Sequence, residues 1–221
     1  MTDTLLRRVN TTIPISSHPL YIWIQFILKT TMTAFNDFTK HLSQYHPLSE
    51  GLTEYLEESV TEKVLPKNYK LLEAGKIPKH IWYLPSGSAR VHRVDENTAE
   101  DLTLWYWQNE LILPLDGLFS QTPARTTISL DQQSTVIALS YIHLKHLNHL
   151  FPEYYLISQG YLERINQKLS EHLDLIQHAE SAARYAFLMK YHSSLLLHAG
   201  LKDIASFLGM SISTIKHLRY G

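Results

Sequence analysis

The sequence of 221 residues predicts an α+β protein in which a closed or sandwiched antiparallel sheet is followed by a long helix and a small helical unit. First, short β-rich runs separated by turn residues follow one another between residues 70 and 139. Second, apolar residues at alternating spacings of three and four indicate a long helix over residues 155–176. Third, residues 203–221 have the pattern of two short helices joined by a glycine.

The first 33 residues precede the predicted fold, and we interpret them as an N-terminal extension that is either disordered or the product of a misassigned start codon. Their apolar run, Tyr21–Leu28, follows two arginines as in a signal peptide, but no small-residue cleavage site comes after it. The run is also shorter than the roughly 18 apolar residues that a membrane span requires. A short interfacial or partner-binding segment is the alternative interpretation.

Two helices are predicted over residues 34–60, where Phe35, Phe38 and Leu42 share one face and Ser49 can cap the second helix. The β-rich part then begins, with glycines marking its turns. Its strands are predicted in the runs YKLLEAGK, HIWYLPSG, SARVHRV, DLTLWYWQ, TTISL and STVIALS, and its turns at Gly75, Gly87 and Gly117.

The long helix predicted after Pro152 carries an apolar stripe about three heptads long. The stripe consists of Tyr155, Ser158, Leu162, Ile165, Leu169, Leu173 and Ile176. Such a stripe either packs on the protein's own sheet or pairs with the same helix of a second copy. We predict the second arrangement, and we predict a further continuous amphipathic helix over residues 182–197.

The last 19 residues, DIASFLGMSISTIKHLRYG, have the pattern of a helix-turn-helix. Gly209 provides the positive φ that the turn needs, and Ser211 can cap the second helix. Ala205 is small enough for the helices to cross closely, and Ile215 and Leu218 are expected to face the core. A plain helical hairpin that binds no DNA is the alternative.

The exposed face of the second helix suits a DNA major groove. Ile212 can contact a thymine methyl group, while Ser213 and His217 can hydrogen-bond to base edges. Lys216 and Arg219 suit phosphates. The predicted DNA-binding residues are Ser211, Ile212, Ser213, Thr214, Lys216, His217 and Arg219.

The charge distribution agrees with this assignment. The net charge is −1, but residues 178–221 contain five Lys and Arg against two acidic residues. Residues 34–177 contain twelve against eighteen. A basic terminal region on an acidic body favours contact between that region and a polyanion, although ordinary surface variation gives similar counts. The absence of cysteine excludes disulfides, thiolate metal sites and cysteine nucleophiles, and it fits a reducing cytosol.

Five segments in this order resemble the Crp/Fnr family of bacterial transcription regulators, in particular its branch common in Bacteroidetes. They are LLEAGKIPKHIWYLPSGSARVHR, GLFSQTPARTTISL, VIALSYIHLKHL, FPEYY and LKDIASFLGMSISTI. The resemblance implies a cyclic-nucleotide-binding-like β-roll of the jelly-roll type at residues 34–150, with flanking helices. It also implies a dimerisation helix at 151–177 and a DNA-binding helix-turn-helix domain at 178–221, without a wing. The expected protein is a cytoplasmic homodimer that binds double-stranded DNA, with a small-molecule effector and RNA polymerase as further partners and no membrane association.

The resemblance weakens at the effector site. Arg125 and Thr126 match the Arg-Ser/Thr pair with which family members hold a cyclic nucleotide phosphate, but the Gly-Glu pair falls on Pro114 and Leu115. Proline has no amide hydrogen to donate, and leucine cannot bind a ribose hydroxyl. Cyclic AMP is therefore not expected. Arg125 either binds another anion or forms a structural ion pair.

Enzymatic interpretations find little support. The sequence has no Gly-rich phosphate loop, nucleophile elbow or helical metalloprotease motif. His143, His146 and His149 are three residues apart, so they drift around a helix and are poorly placed to share one metal ion. A cupin-like metalloenzyme needs a His-x-His pair on a strand, whereas His92 stands alone. We expect no enzyme, metal or cofactor, and the main alternative is a ligand-binding β-roll protein that no longer binds DNA.

Overall fold

The computed structural model describes residues 33–94 and 101–220; the predicted N-terminal extension lies outside them except for Thr33. The helices of this part are α1 (33–43), α2 (Glu50–Ser59), α3 (Tyr141–Leu150), α4 (Pro152–His178), α5 (Ser181–Tyr191), α6 (Leu195–His198), α7 (Leu201–Phe207) and α8 (Ile212–Tyr220). Its strands are β1 (Val60–Leu65), β2 (Lys70–Leu72), β3 (His80–Ser86), β4 (Ala89–Val94), β5 (Asp101–Tyr106), β6 (Leu111–Ile112), β7 (Thr127–Leu130) and β8 (Ser134–Ser140). Within these ranges no helix is at once long enough and apolar enough to cross a membrane.

The strands form two antiparallel four-stranded sheets, which together make the β-roll. One sheet has the order β1-β8-β3-β6 and the other the order β2-β7-β4-β5. The predicted turns at Gly75, Gly87 and Gly117 all have positive φ, between 84° and 102°. The α+β class with an antiparallel β-roll is thereby confirmed.

The central strand β3 is buried on both faces because it separates two hydrophobic cores. Trp82 and Leu84 point between the two sheets. Ile81 and Tyr83, which alternate with them, point to the opposite face and pack against α1–α4. This two-sided burial explains the continuous apolar run in β3.

Helix caps fix the bounds of the helices that flank the roll. The Ser49 hydroxyl accepts a hydrogen bond from the backbone N–H of Leu52 at 3.2 Å, as predicted. Ser140 caps α3 in the same way through the N–H of His143. Pro152 lies in the first turn of α4, where the missing N–H has no helical partner to lose. The proline thus starts a new helix rather than kinking an old one.

The prediction of one continuous helix over residues 182–197 is wrong. Helix α5 ends at Tyr191, and His192 has a non-helical backbone with φ −141° and ψ 36° before α6 begins. The His192 ring is stacked on Trp107 of the roll with 3.8 Å between ring centroids. A tertiary contact at this residue accompanies the interruption of a pattern that is helical by local spacing alone.

Helix α4 connects the roll to the C-terminal helices α5–α8. Its 27 residues span about 40 Å. Near its start, Tyr154, Ile157 and Tyr161 are buried against the roll. Near its end, His172 stacks on Phe207 of α7. The two halves of one helix therefore contact two different units, and we retain residues 151–177 as a predicted dimerisation segment.

Candidate nucleic-acid interface and effector site

The turn between α7 and α8 is a Schellman motif. Gly209 has φ +59°, the N–H of Met210 bonds to the carbonyl of Ala205, and the N–H of Gly209 bonds to the carbonyl of Ser206. A side chain at residue 209 would lie 3.0 Å from Ile176 of α4. Glycine is therefore favoured here both by backbone conformation and by the close approach of α4.

Helix α8 begins at a cap built from hydroxyl groups. The Ser211 hydroxyl accepts the backbone N–H of Thr214 at 3.1 Å, and it lies within 2.8 Å of the hydroxyls of Ser213 and Thr214. The predicted cap is present. The first turn thus offers several hydroxyls and no acidic group.

Helix α8 has one buried face and one exposed face, as a helix that binds a DNA groove requires. Ile215 is fully buried, in a core with Ile204, Ala205 and Leu208. Most of the predicted DNA-contacting side chains are exposed, and Thr214 is half-buried. The exposed ones are Ser211, Ile212, Ser213, Lys216, His217 and Arg219. They form a surface with basic side chains and no carboxylate, which could accept a phosphate backbone.

Arg184 positions the turn, and sequence reasoning missed it. Its guanidinium donates to the carbonyls of Leu208 and Gly209 at 3.1 and 3.0 Å and to the carbonyl of Ala179 at 2.8 Å. One side chain of α5 therefore ties the end of α4 to the α7–α8 turn. Arg184 is one of two basic residues on an amphipathic helix, and the sequence gave no signal for this role.

The C-terminal helices dock on strand β5 through aromatic rings. Trp105 is buried in the core of the C-terminal helices and meets Phe207 edge-on with 5.2 Å between centroids. Trp107 stacks on His192, and burial together with the nearby Lys168 lowers the pKa of His192 to about 4. His192 is therefore neutral at pH 7. The aromatic run DLTLWYWQ was the sequence signal that could have indicated this contact.

A charged network borders the same contact. Arg90 of β4 pairs with Asp203 of α7 and lies 3.8 Å from Asp131, whose carboxylate accepts the Trp105 indole N–H. Burial raises the pKa of Asp131, while the Trp105 hydrogen bond and the Arg90 charge oppose that rise. These partners satisfy a nearly buried carboxylate between the two units.

The predicted effector pair lies elsewhere, on the loop before β7. The backbone N–H of Arg125 donates to Asp116 at 2.6 Å, and its guanidinium lies 3.5 Å from the same carboxylate. The Arg125 side chain is 74% exposed. Asp116 thus supplies the negative charge facing Arg125, which favours the structural ion pair; Thr126 beside it is half-buried. The space between the sheets is occupied by apolar side chains such as Trp82 and Ile112.

The residues of the α4 stripe lie in two different environments, some packed inside the protein and some exposed. Leu162 and Ile165 pack partly against the protein's own roll, and Ile176 approaches Gly209. Leu169 and Leu173 are 44% and 53% exposed. Tyr155 is also exposed, and Ser158 is half-buried with its hydroxyl donating to the Tyr155 carbonyl. Some stripe residues therefore favour packing on the protein's own roll and others favour pairing with a second copy, so dimerisation stays a prediction.

The histidines of α3 have a structural partner. Nδ1 of His143 and Nδ1 of His146 lie 3.0 and 3.3 Å from the Tyr55 hydroxyl. Among residues 33–94 and 101–220, no group of three or more His, Asp or Glu side chains is arranged to hold a metal ion.

These features define a class of protein: a β-roll joined by one long helix to a small unit that ends in a helix-turn-helix. Solved transcription regulators of the Crp/Fnr family share this fold. The resemblance predicted from the sequence is thereby confirmed at the level of the fold, while the Bacteroidetes branch stays a prediction.

Three solved structures illustrate the similarity. A Crp/Fnr-family transcriptional regulator from Eubacterium rectale has 13% identity and a TM-score of 0.61 over 80% of this chain and 87% of its own. CLP, the c-di-GMP responsive global regulator of Xanthomonas campestris, has 14% identity and a TM-score of 0.59, with 77% and 89% covered. FixK2 of Bradyrhizobium japonicum has 14% identity and a TM-score of 0.58, with 72% and 82% covered. These proteins are regulators and not enzymes. No family model and no curated protein matches the sequence.

Proposed function

We propose that this chain is a homodimeric, sequence-specific DNA-binding transcription regulator of the Crp/Fnr type that acts in the cytoplasm. The observation that carries the proposal is α8, a capped and largely exposed helix with basic side chains and no acidic residue, anchored by Ile215. Its first turns would contact base edges in the major groove. RNA polymerase is the expected protein partner of such a regulator.

Dimerisation would place two copies of α8 about 34 Å apart, on successive turns of one duplex. The exposed leucines of the α4 stripe, Leu169 and Leu173, support pairing through α4. In this arrangement one face of α4 contacts the protein's own roll and the next face contacts the second copy. A near-palindromic operator is the expected binding site.

The effector is not cyclic AMP in this proposal, because Asp116 holds Arg125 and no Gly-Glu pair accompanies it. The roll then either binds another small molecule or serves as a rigid scaffold. A ligand-binding roll whose helix-turn-helix no longer binds DNA is the competing function, and DNA binding decides between the two.

Lys216→Ala tests the phosphate contact. Genome-wide footprinting of the tagged protein would supply operator fragments, and fluorescence anisotropy would measure their affinity across salt concentrations. We expect weaker binding to all sequences and a decrease of about one in the slope of log affinity against log salt. His217→Ala should instead relax the preference for particular bases.

The matched control is Lys145→Ala, which removes an exposed lysine from α3, far along the chain from α8. It should leave the salt slope unchanged. If the wild-type protein binds no duplex at about 50 mM salt, where phosphate contacts are strong, the proposed function is refuted and the competing one is left.

Leu173→Glu tests dimerisation by sedimentation. A carboxylate buried between two α4 helices would be unpaired, so monomers are expected. Leu197→Glu alters a leucine that is 80% exposed and lies outside the stripe, and it should leave the oligomeric state unchanged. A dimer that persists in Leu173→Glu would refute pairing at this position.

A further inference from the structure

A cavity of about 680 Å³ lies between the roll and the C-terminal helices. Its walls come from α1, from Tyr83 of β3, from the β5–β6 segment, from α4, and from the C-terminal residues Phe187, His192 and Phe207. It is separate from the Arg125 loop, which does not line it. Its volume lies within the range of roughly 300–1,000 Å³ typical of sites for small organic ligands.

The walls of this cavity are rich in aromatic rings. Eight Phe, Tyr and Trp residues and three histidines line it. At the α1 end the ring centroid of His41 lies 5.7 Å from that of Tyr45, 5.3 Å from that of Tyr83 and 6.1 Å from that of Tyr161. At the other end Trp107 stacks on His192. Such rings favour stacked or edge-on contact with a flat aromatic molecule.

The charges around the cavity balance. Three acidic and three basic side chains border it. Glu110 and Lys168 neutralise each other at 2.7 Å, and the Glu110 carboxylate also accepts the N–H of Trp107. Burial lowers the pKa values of His41, His172 and His192, so these rings carry no charge near pH 7. A ligand with several phosphates would find no excess of positive charge here.

One polar atom in the cavity wall lacks a partner. Nε2 of His41 is shielded from solvent and forms no hydrogen bond within residues 33–94 and 101–220. A buried polar atom in this state is unfavourable, and a ligand that bonds to it after a rotation of the His41 ring toward the cavity would remove the penalty. Since His41 is neutral, this nitrogen can accept a hydrogen bond from a ligand N–H or O–H in one of its tautomers.

We propose that this cavity binds a flat aromatic molecule with no more than a single charge, held between aromatic rings and hydrogen-bonded to Nε2 of His41. The molecule would touch Tyr83 of the roll and His192 and Phe207 of the C-terminal helices at once. As an effector site the cavity rests on the proposed function, because differential affinity for two arrangements of these units would shift their equilibrium. As a binding site it is tested without DNA.

The test uses N-phenyl-1-naphthylamine, an uncharged aromatic probe with one N–H whose fluorescence rises in apolar surroundings. We expect saturable binding of one probe per chain in the full-length protein. His41→Phe keeps a ring among the three tyrosines but removes the nitrogen, so probe affinity should fall about fivefold. The midpoint of urea unfolding should not fall, because the unpaired polar atom is gone.

His149→Phe is the matched control. It makes the same exchange at an exposed position of α3 that does not line the cavity, and it should leave probe affinity unchanged. Gln44→Trp adds bulk at the α1 edge of the cavity and should weaken the probe even if His41→Phe fails to fold.

Three results would overturn the proposal. The first is the absence of saturable binding to the wild-type protein. The second is equal affinity in the wild type, His41→Phe and Gln44→Trp. The third is binding only to a monomeric Leu173→Glu variant, which would mean that a second copy covers the cavity. Each result concerns the probe alone, so it leaves the question of DNA binding to its own experiment.

Discussion

The β-roll and the C-terminal helices differ in how each obtains a hydrophobic core. The roll has two cores, and β3 serves both because its alternate side chains point to opposite faces. The core of the C-terminal helices is small, and its largest buried residue, Trp105, comes from β5 of the roll. The C-terminal helices therefore share their core with the roll rather than merely following it in sequence.

This difference bears on regulation. A unit with its own core can change orientation at little energetic expense, whereas a unit that shares a core must release the shared side chain first. Here Trp105 and the pairing of Arg90 with Asp203 join the two units. We infer that any rearrangement of α8 relative to the roll involves this contact.

Trp105→Ala should have the largest effect. Loss of a fully buried tryptophan destabilises proteins by about 3–5 kcal/mol, and Asp131 would also lose its indole partner. Because Trp105 belongs to the C-terminal core, hydrogen exchange should accelerate mainly in residues 181–220. Urea unfolding combined with hydrogen exchange by mass spectrometry measures both effects.

Trp82→Ala provides the comparison, since Trp82 is buried between the two sheets. It should lower global stability by a similar amount while accelerating exchange mainly in the strands. If both variants accelerate exchange in the same residues, the molecule has one undivided core and the contrast drawn above is wrong.

Arg90→Met should cause the next largest loss of stability. It leaves the nearly buried Asp131 and the neighbouring Asp203 facing each other without their cation. Breaking a buried pair costs about 3–5 kcal/mol, and the partial exposure of Arg90 reduces the expected loss to about 2–3 kcal/mol. Urea unfolding at pH 7 measures it.

Lys70→Met is the matched control, because the Lys70–Glu73 pair is exposed and joins the first residue of β2 to the residue just after that strand. Its removal should leave stability nearly unchanged, because solvent screens an exposed pair. Equal effects of the two substitutions would show that Arg90 contributes no more than a surface charge.

Local features of the fold were predictable because local chemistry decides them. Ser49 and Ser211 have the residue type of helix caps, and Gly209 that of a left-handed turn. Six of the eight strands in the described residues lie in the predicted β-rich runs, whereas β1 and the two-residue strand β6 were not predicted. The break at His192 was not predictable, since it accompanies a stacking contact with a residue 85 positions away in the chain.

The candidate sites also divide into features that local sequence predicts and features that depend on contacts between distant residues. The exposed face of α8 follows from helical periodicity around Ile215. The cavity beside His41 could not be predicted, because it exists only where segments far apart in the chain meet. Glu110 illustrates the difficulty, since the structure pairs it with Lys168, a residue 58 positions away in the chain.

Gly209→Ala should have a smaller effect, confined to the turn before α8. Alanine at φ +59° costs about 1–2 kcal/mol, and its Cβ would lie 3.0 Å from Cγ2 of Ile176. Gly75→Ala is the control, because φ is +84° there but no atom lies within 4 Å of the added methyl group. Thermal unfolding should show a greater loss for Gly209→Ala. Equal losses would mean that α4 shifts to accommodate the added methyl group at no energetic cost.

The pH dependence of the contact between the units should be the smallest effect at pH 7 and should grow below it. The pKa of His192 is about 4 in the folded protein and about 6.5 when unfolded, mainly because of burial and then because of Lys168. Between these values the unfolded chain binds more protons, so stability falls as the pH falls from about 6.5 towards 4.

His192→Phe keeps a ring against Trp107 and removes this titration. Urea unfolding at pH 7 and pH 4.5 should therefore show a smaller loss in the variant, although His41 and His172 preserve part of the wild-type trend. Parallel pH profiles for the two proteins would show that His192 is accessible to protons in the folded state, and that the stack on Trp107 does not hold the two units together in solution.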